Sequence, residues 1–333
     1  MIGDKSRQGE PSVYISVVVP VYNEEGNIGP MAQALGEILK GFGGYEIVFV
    51  DDGSTDSSLA ILRGLASTDG KIRYISFSRN FGHQAALRAG LETARGDCIV
   101  TMDGDFQHPP VFIPKLVAEF EKGYDIISTR RVEPGRDSLN RTPLLKRITS
   151  RLFYSIANAL SDIHIEPGSA DFRLLSKRAN DTLLTMKEYN LFLRGAIPWI
   201  GFPHAEIDYV PEKRMRGTSK YTISKMLSLA LDGITSFSVK PLRLTSFAGI
   251  AISCAGFAYA LYALLMRIFT TRTVEGWTSI LISILIIGGI QLLSLGIIGE
   301  YLGKLFMEVK GRPRFIVKET SPRRDEKNTG GAS

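Results

Sequence analysis

The sequence predicts an α/β protein, with a mostly parallel sheet covered by helices. Interfacial amphipathic helices and a two-helix transmembrane hairpin are predicted to follow. Three observations carry this. Strand and helix patterns alternate as far as Thr129. Clusters of polar residues stand directly after the strand patterns. Two long stretches beyond residue 240 contain no charged residue at all. Alternation of this kind builds a parallel sheet with helices on its faces, and right-handed crossovers place the strand exits along one edge.

The elements follow in order. Tyr14–Pro20 (YISVVVP) is a continuous apolar run and reads as a buried strand. Gly26–Leu39 has the spacing of an amphipathic helix, and Tyr45–Val50 (YEIVFV) is the second strand. A helix is expected from about Ser57, then a strand at Ile72–Phe77 and an Ala/Leu-rich helix at Gln84–Thr93. Cys98–Met102 reads as the central strand, Phe112–Lys122 as the next helix and Asp125–Thr129 as the closing strand. The exits collect Asn23-Glu24, Asp51-Asp52-Gly53-Ser54, Arg79-Asn80 and Asp103-Gly104-Asp105. In open α/β sheets that edge is where ligands bind.

The second half changes character. Leu144–Leu160 and Tyr221–Phe237 pair apolar faces with basic residues, a pattern that lies in a membrane interface. Leu244–Met266 and Thr278–Gly299 are uncharged and each exceeds the about 20 residues that cross a bilayer. The outer flanks are richer in Lys and Arg than the link between them, so the positive-inside bias puts the N-terminal domain and both termini in the cytoplasm. The expected organisation is a flexible N-terminus (1–12), an α/β domain (13–220) and an interfacial helix (221–240). Two spans (241–303, the apolar runs being about 244–266 and 278–299) and a basic cytoplasmic tail (304–333) complete it. Gly288, Gly289, Gly296, Gly299 and Gly303 supply small-residue faces for helix contact and point to a homo-oligomer. The net charge of +6 is mild for 333 residues, and no nucleic-acid partner is expected. The two cysteines, Cys98 and Cys254, offer neither a disulfide framework nor a CxxC metal site.

Asp103 and Asp105 carry the most chemical information. Two carboxylates one residue apart, at the exit of a buried strand, can converge on one point. Hard oxygen donors suit Mg²⁺ or Mn²⁺ rather than zinc, and an ion held there can grip a diphosphate. Asp-Gly is also a common turn pair, so the motif needs its context. Asp51 and Asp52 can accept hydrogen bonds from a base and ribose, or form a turn into a helix cap. Arg214, Arg216 and Lys220 form a basic cluster ahead of the second amphipathic helix, suited to a lipid phosphate or to anionic headgroups.

Val17–Glu25 (VVVPVYNEE), Val50–Asp56 (VDDGSTD) and Met102–Pro110 (MDGDFQHPP) together resemble family 2 glycosyltransferases, which have a GT-A fold. Ser78–Gln84 (SRNFGHQ), Ala170–Leu174 (ADFRL) and Arg214–Tyr221 (RMRGTSKY) resemble the polyisoprenyl-phosphate branch, and two C-terminal spans complete a likeness to bactoprenol glucosyltransferases. The resemblance covers about residues 14–310. It implies an inverting, metal-dependent transferase in the inner membrane. The sugar, glucose from UDP-glucose, goes to polyprenyl (undecaprenyl) phosphate at the cytoplasmic face; mannose or aminoarabinose donors remain open. Pro20, Tyr22, Glu24, Asp51, Asp52, Asp103 and Gln107 are then expected at the donor. Asp103 and Asp105 would hold Mg²⁺ or Mn²⁺, with Asp105 the stronger candidate for a direct ligand. Arg214 and Lys220 would bind acceptor phosphate. Asp171 is the implied general base, although it could instead orient the acceptor or bond Arg173. His108 is as well read as structural as a ligand.

Other classes fit less well. No G-x-G-x-x-G follows the first strand, which excludes a dinucleotide dehydrogenase. Trp199 and Trp277 are the only tryptophans and neither sits in the Gln-x-x-Arg-Trp motif of processive polysaccharide synthases. A non-catalytic scaffold would not need the full acidic set of Asp52, Asp103, Asp105 and Asp171.

Overall fold

A computed structural model describes residues 13–132, 169–189, 191–210, 235, 238–269 and 276–322. These fall into two compact units, one built on a sheet and including residues 313–322, the other helical and ending at Arg312. The helices expected at Leu144–Leu160 and Tyr221–Phe237, together with Arg214 and Lys220, lie outside the described residues, save Thr235.

In the sheet unit, β1 (Tyr14–Val21), α1 (Glu25–Leu39), β2 (Gly44–Asp51), α2 (Ser58–Thr68), β3 (Ile72–Phe77), α3 (His83–Thr93) and β4 (Cys98–Thr101) alternate as the sequence predicts. A single turn of 3-10 helix (Pro110–Phe112) leads into α4 (Ile113–Glu121) and β5 (Ile126–Arg131). Then come β6 (Ser169–Ser176), α5 (Lys177–Leu184), α6 (Leu193–Trp199) and β7 (His204–Tyr209). The eight-stranded sheet has the order β7-β5-β6-β4-β1-β2-β3-β8, where β8 is Val317–Thr320.

The central block β4-β1-β2-β3 is parallel, which lines up four strand exits on one edge. Its strands are buried on both faces, as their unbroken apolar runs require. Helix α1 buries Ile28, Met31, Leu35 and Leu39 against them, each contributing about 1.5–3 kcal/mol. Gly90 lets α3 approach β1 closely, since a Cβ there would meet Val18 Cγ1 at 2.1 Å.

Three strands were not legible as strands in the sequence. β6 inserts antiparallel between β4 and β5. Its register, Thr101 opposite Arg173, brings Asp171 up to the edge where β4 ends. β7 pairs parallel with β5, and β8 pairs antiparallel with β3. The segment expected to be a basic tail from residue 304 is therefore structured as far as the sheet edge.

The helical unit contains α7 (Lys240–Phe269) and α8 (Trp277–Val309), 30 and 33 residues long. At 1.5 Å per residue each is roughly 45 Å or more in length, beyond the ~30 Å hydrocarbon core. Both are long and apolar enough to cross a membrane, and the apolar windows are not buried within the protein. Phe247, Phe257, Leu292 and Leu293 are exposed. Tyr301 Oη donates to the Ser238 carbonyl at 2.6 Å within this unit, and Lys304 meets Thr235.

Candidate active site

Four chain segments meet where β4 ends. The first is the loop Asp103–Pro109, whose backbone is fixed by His108. The Asp103 N–H donates to His108 Nδ1 at 2.9 Å, which makes Nδ1 the unprotonated nitrogen. His108 is buried, stacks on Phe172 at 5.2 Å, and faces Asp103 Oδ2 with Nε2 at 3.7 Å. Burial lowers its pKa, so it stays neutral and acts as a strut for the acidic loop. Within the same loop Asp105 Oδ1 accepts from the Gln107 N–H at 3.0 Å. Phe106 takes a left-handed backbone (φ 64°), a costly choice for a bulky residue and one that turns the chain sharply between the two carboxylates and Gln107. Arg131, at the end of β5, reaches Gln107 Oε1 at 3.5 Å.

The second segment is the start of β6. Asp171 is 5% exposed and its carboxylate is surrounded by cations. Arg194 of α6 binds both oxygens, at 3.0 and 2.8 Å, and Arg173 binds Oδ1 at 3.1 Å. Thr101 Oγ1 donates to the Asp171 carbonyl at 2.6 Å, tying β6 to the end of β4. Burial opposes the charge, but Arg194, the hydrogen bond from His83, and Arg173 together hold the Asp171 carboxyl well below the usual carboxylate range.

The third segment is the start of α3. His83 Nε2 lies 3.4 Å from Asp103 Oδ1 and 3.4 Å from Asp171 Oδ2, so one imidazole bridges the two acidic groups. Desolvation opposes its charge, yet the hydrogen bond to Asp171 and the two carboxylates outweigh it and raise its pKa.

The fourth is the β2 exit. Here Asp51 is buried and accepts from Ser54 N at 3.0 Å and Ser76 Oγ at 2.7 Å. Asp52 accepts from the N–H groups of Phe81 (2.6 Å) and Gly82 (2.9 Å), which ties this loop to the one before α3. Burial raises the Asp52 pKa against those two bonds. Gly53 (φ 70°) is required here, because a Cβ would lie 2.4 Å from the Arg79 carbonyl carbon. Asn23, also left-handed (φ 54°), accepts from Thr55 N at 2.8 Å and knits the β1 exit to the β2 exit.

A cleft of about 370 Å³ opens at the exits of β2 and β3, with Tyr22, Asp51, Ser54, Arg79 and Lys318 among its lining. Of the residues expected at a donor, Tyr22 and Asp51 line this cleft. Pro20 lies within β1 opposite Val50, and Glu24 Oε2 accepts from Asn27 at 2.5 Å at the start of α1. Asp52 is spent on the loop before α3. Asp103, Asp105 and Gln107 share the acidic loop. His83 and Arg194 were not singled out from the sequence as site residues. His83 lies inside a quoted motif, and Arg194 joins only through the long-range packing of α6.

Among the described residues, no three His, Cys, Asp or Glu side chains form a complete metal cage. The donor set fits a different arrangement, since Mg²⁺ is commonly held by one or two carboxylates with substrate phosphates and water completing the shell. Asp103 keeps 37% of its side chain accessible, as such sharing needs.

A family model for glycosyl transferase family 2 matches residues 16–184, and one for the GtrB C-terminal hairpin matches residues 240–305. An uncharacterized glycosyltransferase of Bacillus subtilis, YkcC, is 40% identical over 309 residues, covering 92% of this chain and 94% of its own. A bactoprenol glucosyl transferase derived from prophage SfII in Shigella flexneri is 38% identical over 308 residues, covering 92% and 98%. Among solved structures, a Mycobacterium tuberculosis glucosyl-3-phosphoglycerate synthase in complex with Mn²⁺, UDP-glucose and phosphoglyceric acid aligns with 69% of this chain and 84% of its own. Its TM-score is 0.42 at 20% identity.

Proposed function

Because the chain belongs to glycosyl transferase family 2, we propose that it is a membrane glycosyltransferase that moves glucose from UDP-glucose to the phosphate of undecaprenyl or a similar polyprenol. The observation that carries this reading is the succession of a family 2 domain and a GtrB-type hairpin in one chain, shared end to end with relatives named bactoprenol glucosyl transferase. The acidic edge of the sheet and the two long apolar helices fit it.

In this reading an acceptor phosphate oxygen attacks the anomeric carbon from the face opposite the nucleotide. One C–O bond forms to the lipid phosphate and the C–O bond to the nucleoside diphosphate breaks, so the α-linked sugar of UDP-glucose leaves as a β-linked lipid phosphate. Asp103 and Asp105 would hold Mg²⁺ or Mn²⁺, which neutralises charge growing on the departing diphosphate. The acceptor needs little help from a base, because a phosphate monoester is already largely dianionic above its second pKa of about 6. A carboxylate clamped by two guanidinium groups is also a poor base, since proton transfer favours a pKa near the working pH. Asp171 is therefore assigned as the anchor that sets Arg194, Arg173 and His83 at the reacting edge. His83, between Asp103 and Asp171, is a donor suited to a phosphate oxygen. Arg214 and Lys220 are assigned to the acceptor phosphate by their charge and position ahead of the spans. The catalytic unit and both termini are assigned to the cytoplasmic side by the basic flanks of the spans. The open faces of the glycines on α8 fit a homo-oligomer.

The test is transfer of labelled sugar by the purified full-length protein to undecaprenyl phosphate, with UDP-glucose and GDP-mannose compared. Label extracted with the lipid from UDP-glucose, and lost with a chelator, is the expected result. Efficient labelling from GDP-mannose alone would replace glucose, and no lipid labelling from either donor would defeat the reading.

A further inference from the structure

The segment after α8 does more than end the chain. Residues Arg314–Ser321 are fastened to the β3 edge by several independent contacts. Ser78 N donates to the Ile316 carbonyl at 2.9 Å and Ser321 N to the Tyr74 carbonyl at 2.9 Å. Phe315 stacks on Phe77 with centroids 4.9 Å apart and an interplanar angle of 15°. Arg63 grips both oxygens of Glu319, at 2.7 and 2.6 Å, and Tyr74 Oη adds a third bond at 3.1 Å. The ladder with β3 shifts register here, from Ser76 opposite Glu319 to Phe77 opposite Val317, so Lys318 is the residue left out of the pairing. It lines the cleft that also holds Tyr22, Asp51, Ser54 and Arg79.

The position of this cleft along the sheet limits what Lys318 can touch. β3 lies three strands from β4, and β8 lies four. With ~4.8 Å between strands, that is roughly 14 and 19 Å from the exit carrying Asp103 and Asp105. If the diphosphate sits at the acidic loop, the part of the donor that extends to β2, β3 and β8 is the nucleoside. The Lys318 ammonium has three donors and no acceptor. A keto oxygen, such as O4 of a uracil-type base or O6 of guanine, is an acceptor; cytosine and adenine present an amino group in the same place.

We propose that Lys318, delivered by strand β8, is a specificity residue that donates a hydrogen bond to the keto oxygen of the donor's nucleobase that stands where cytosine and adenine carry an amino group. This rests on the sugar-nucleotide reading above. It makes the last strand part of the donor site, so that the chain beyond the spans contributes directly to donor choice.

The experiment is calorimetric titration of the full-length protein in detergent, with Mn²⁺ present, by UDP and CDP. The two differ at the base and share the diphosphate. The parent is expected to bind UDP more tightly than CDP. Lys318→Met keeps the aliphatic stem and is exposed, so it is expected to unfold at the parent's temperature. It should weaken UDP about ten-fold, the scale of one charge-assisted hydrogen bond, and leave CDP within about two-fold. Lys318→Arg should keep the preference for UDP. An unchanged UDP-to-CDP ratio in Lys318→Met would overturn the proposal, including an equal loss for both ligands, which would place the ammonium on a group the two share, such as a phosphate, the ribose or the O2 oxygen. A parent that binds no nucleoside diphosphate would instead overturn the sugar-nucleotide reading on which the proposal rests.

Discussion

Replacing Asp171 with Asn tests the assignment of that residue as an electrostatic anchor. The substitution keeps the size of the side chain and removes its charge. In the parent, one carboxylate 5% exposed faces Arg194 at 2.8 Å, Arg173 at 3.1 Å and His83 at 3.4 Å. Arg173 is itself only 3% exposed and would lose its ion pair with Asp171 in the interior of the sheet. Breaking a buried pair on one side costs about 3–5 kcal/mol, a large share of the ~5–15 kcal/mol that holds a typical domain together. For a unit of this size that is a fall in melting temperature of roughly 6–20 °C. The folded carboxyl is held below its unfolded value, so its contribution is present above the unfolded pKa of about 3.9 and fades as pH falls through the folded one. The gap between parent and variant should therefore widen from neutral pH to about pH 5, as His83, whose pKa Asp171 raises, takes up its proton in the parent, and then narrow in stronger acid as the Asp171 carboxyl is protonated. Thermal unfolding of both proteins across that range is the assay. Adding Arg173→Met to the variant should recover part of the loss, because a buried guanidinium that has lost its carboxylate costs more than an apolar side chain of similar length. A variant within about 1 kcal/mol of the parent at pH 7 would refute the anchor, and an Asp171→Asn protein with full stability but abolished transfer would restore the general-base role.

Further outcomes follow from neighbouring geometry. His108→Leu removes the acceptor of the Asp103 N–H, so it should cost about 1–3 kcal/mol and raise the metal concentration needed for half-maximal transfer. Gly53→Ala forces a Cβ to within 2.4 Å of Arg79 at φ 70°; it should destabilise the protein by more than about 1 kcal/mol and weaken nucleotide binding, measured by melting and by titration with UDP. Arg88→Met removes the guanidinium that binds the carbonyls of Leu183, Leu184 and Met186 at the end of α5, at 3.2, 2.8 and 3.3 Å; Leu183 still accepts from Met186 N and Met186 from Arg314, so the loss falls mainly on Leu184. About 1.5–3 kcal/mol should be lost, with faster hydrogen exchange confined to that helix end.

The parallel core was legible because its physics is local. Unbroken apolar runs mark strands buried on both faces, and a polar cluster after each run marks an exit. β6 was hidden because Asp171 and Arg173 interrupt its apolar pattern; their ion pair, with Arg194 and His83 also on Asp171, lets the charges sit in the sheet. β8 was hidden by the basic residues around it. Its strand character comes from the β3 edge and from Glu319, whose partners Arg63 and Tyr74 lie some 250 positions earlier in the chain. The acidic loop could be found from spacing alone. The role of His108 as its strut could not, because that depends on the stacking of His108 on Phe172, a residue of β6. The same is true of Arg194, which meets Asp171 only once α6 is packed.

The most direct test of the central claim is the anomeric configuration of the lipid product made from UDP-glucose. The product would be purified and its anomeric proton and phosphorus couplings measured by NMR. In-line attack by a lipid phosphate predicts a single phosphodiester joined to C1 in the β configuration. An α-linked product, or glucose attached anywhere other than to the lipid phosphate, would contradict it.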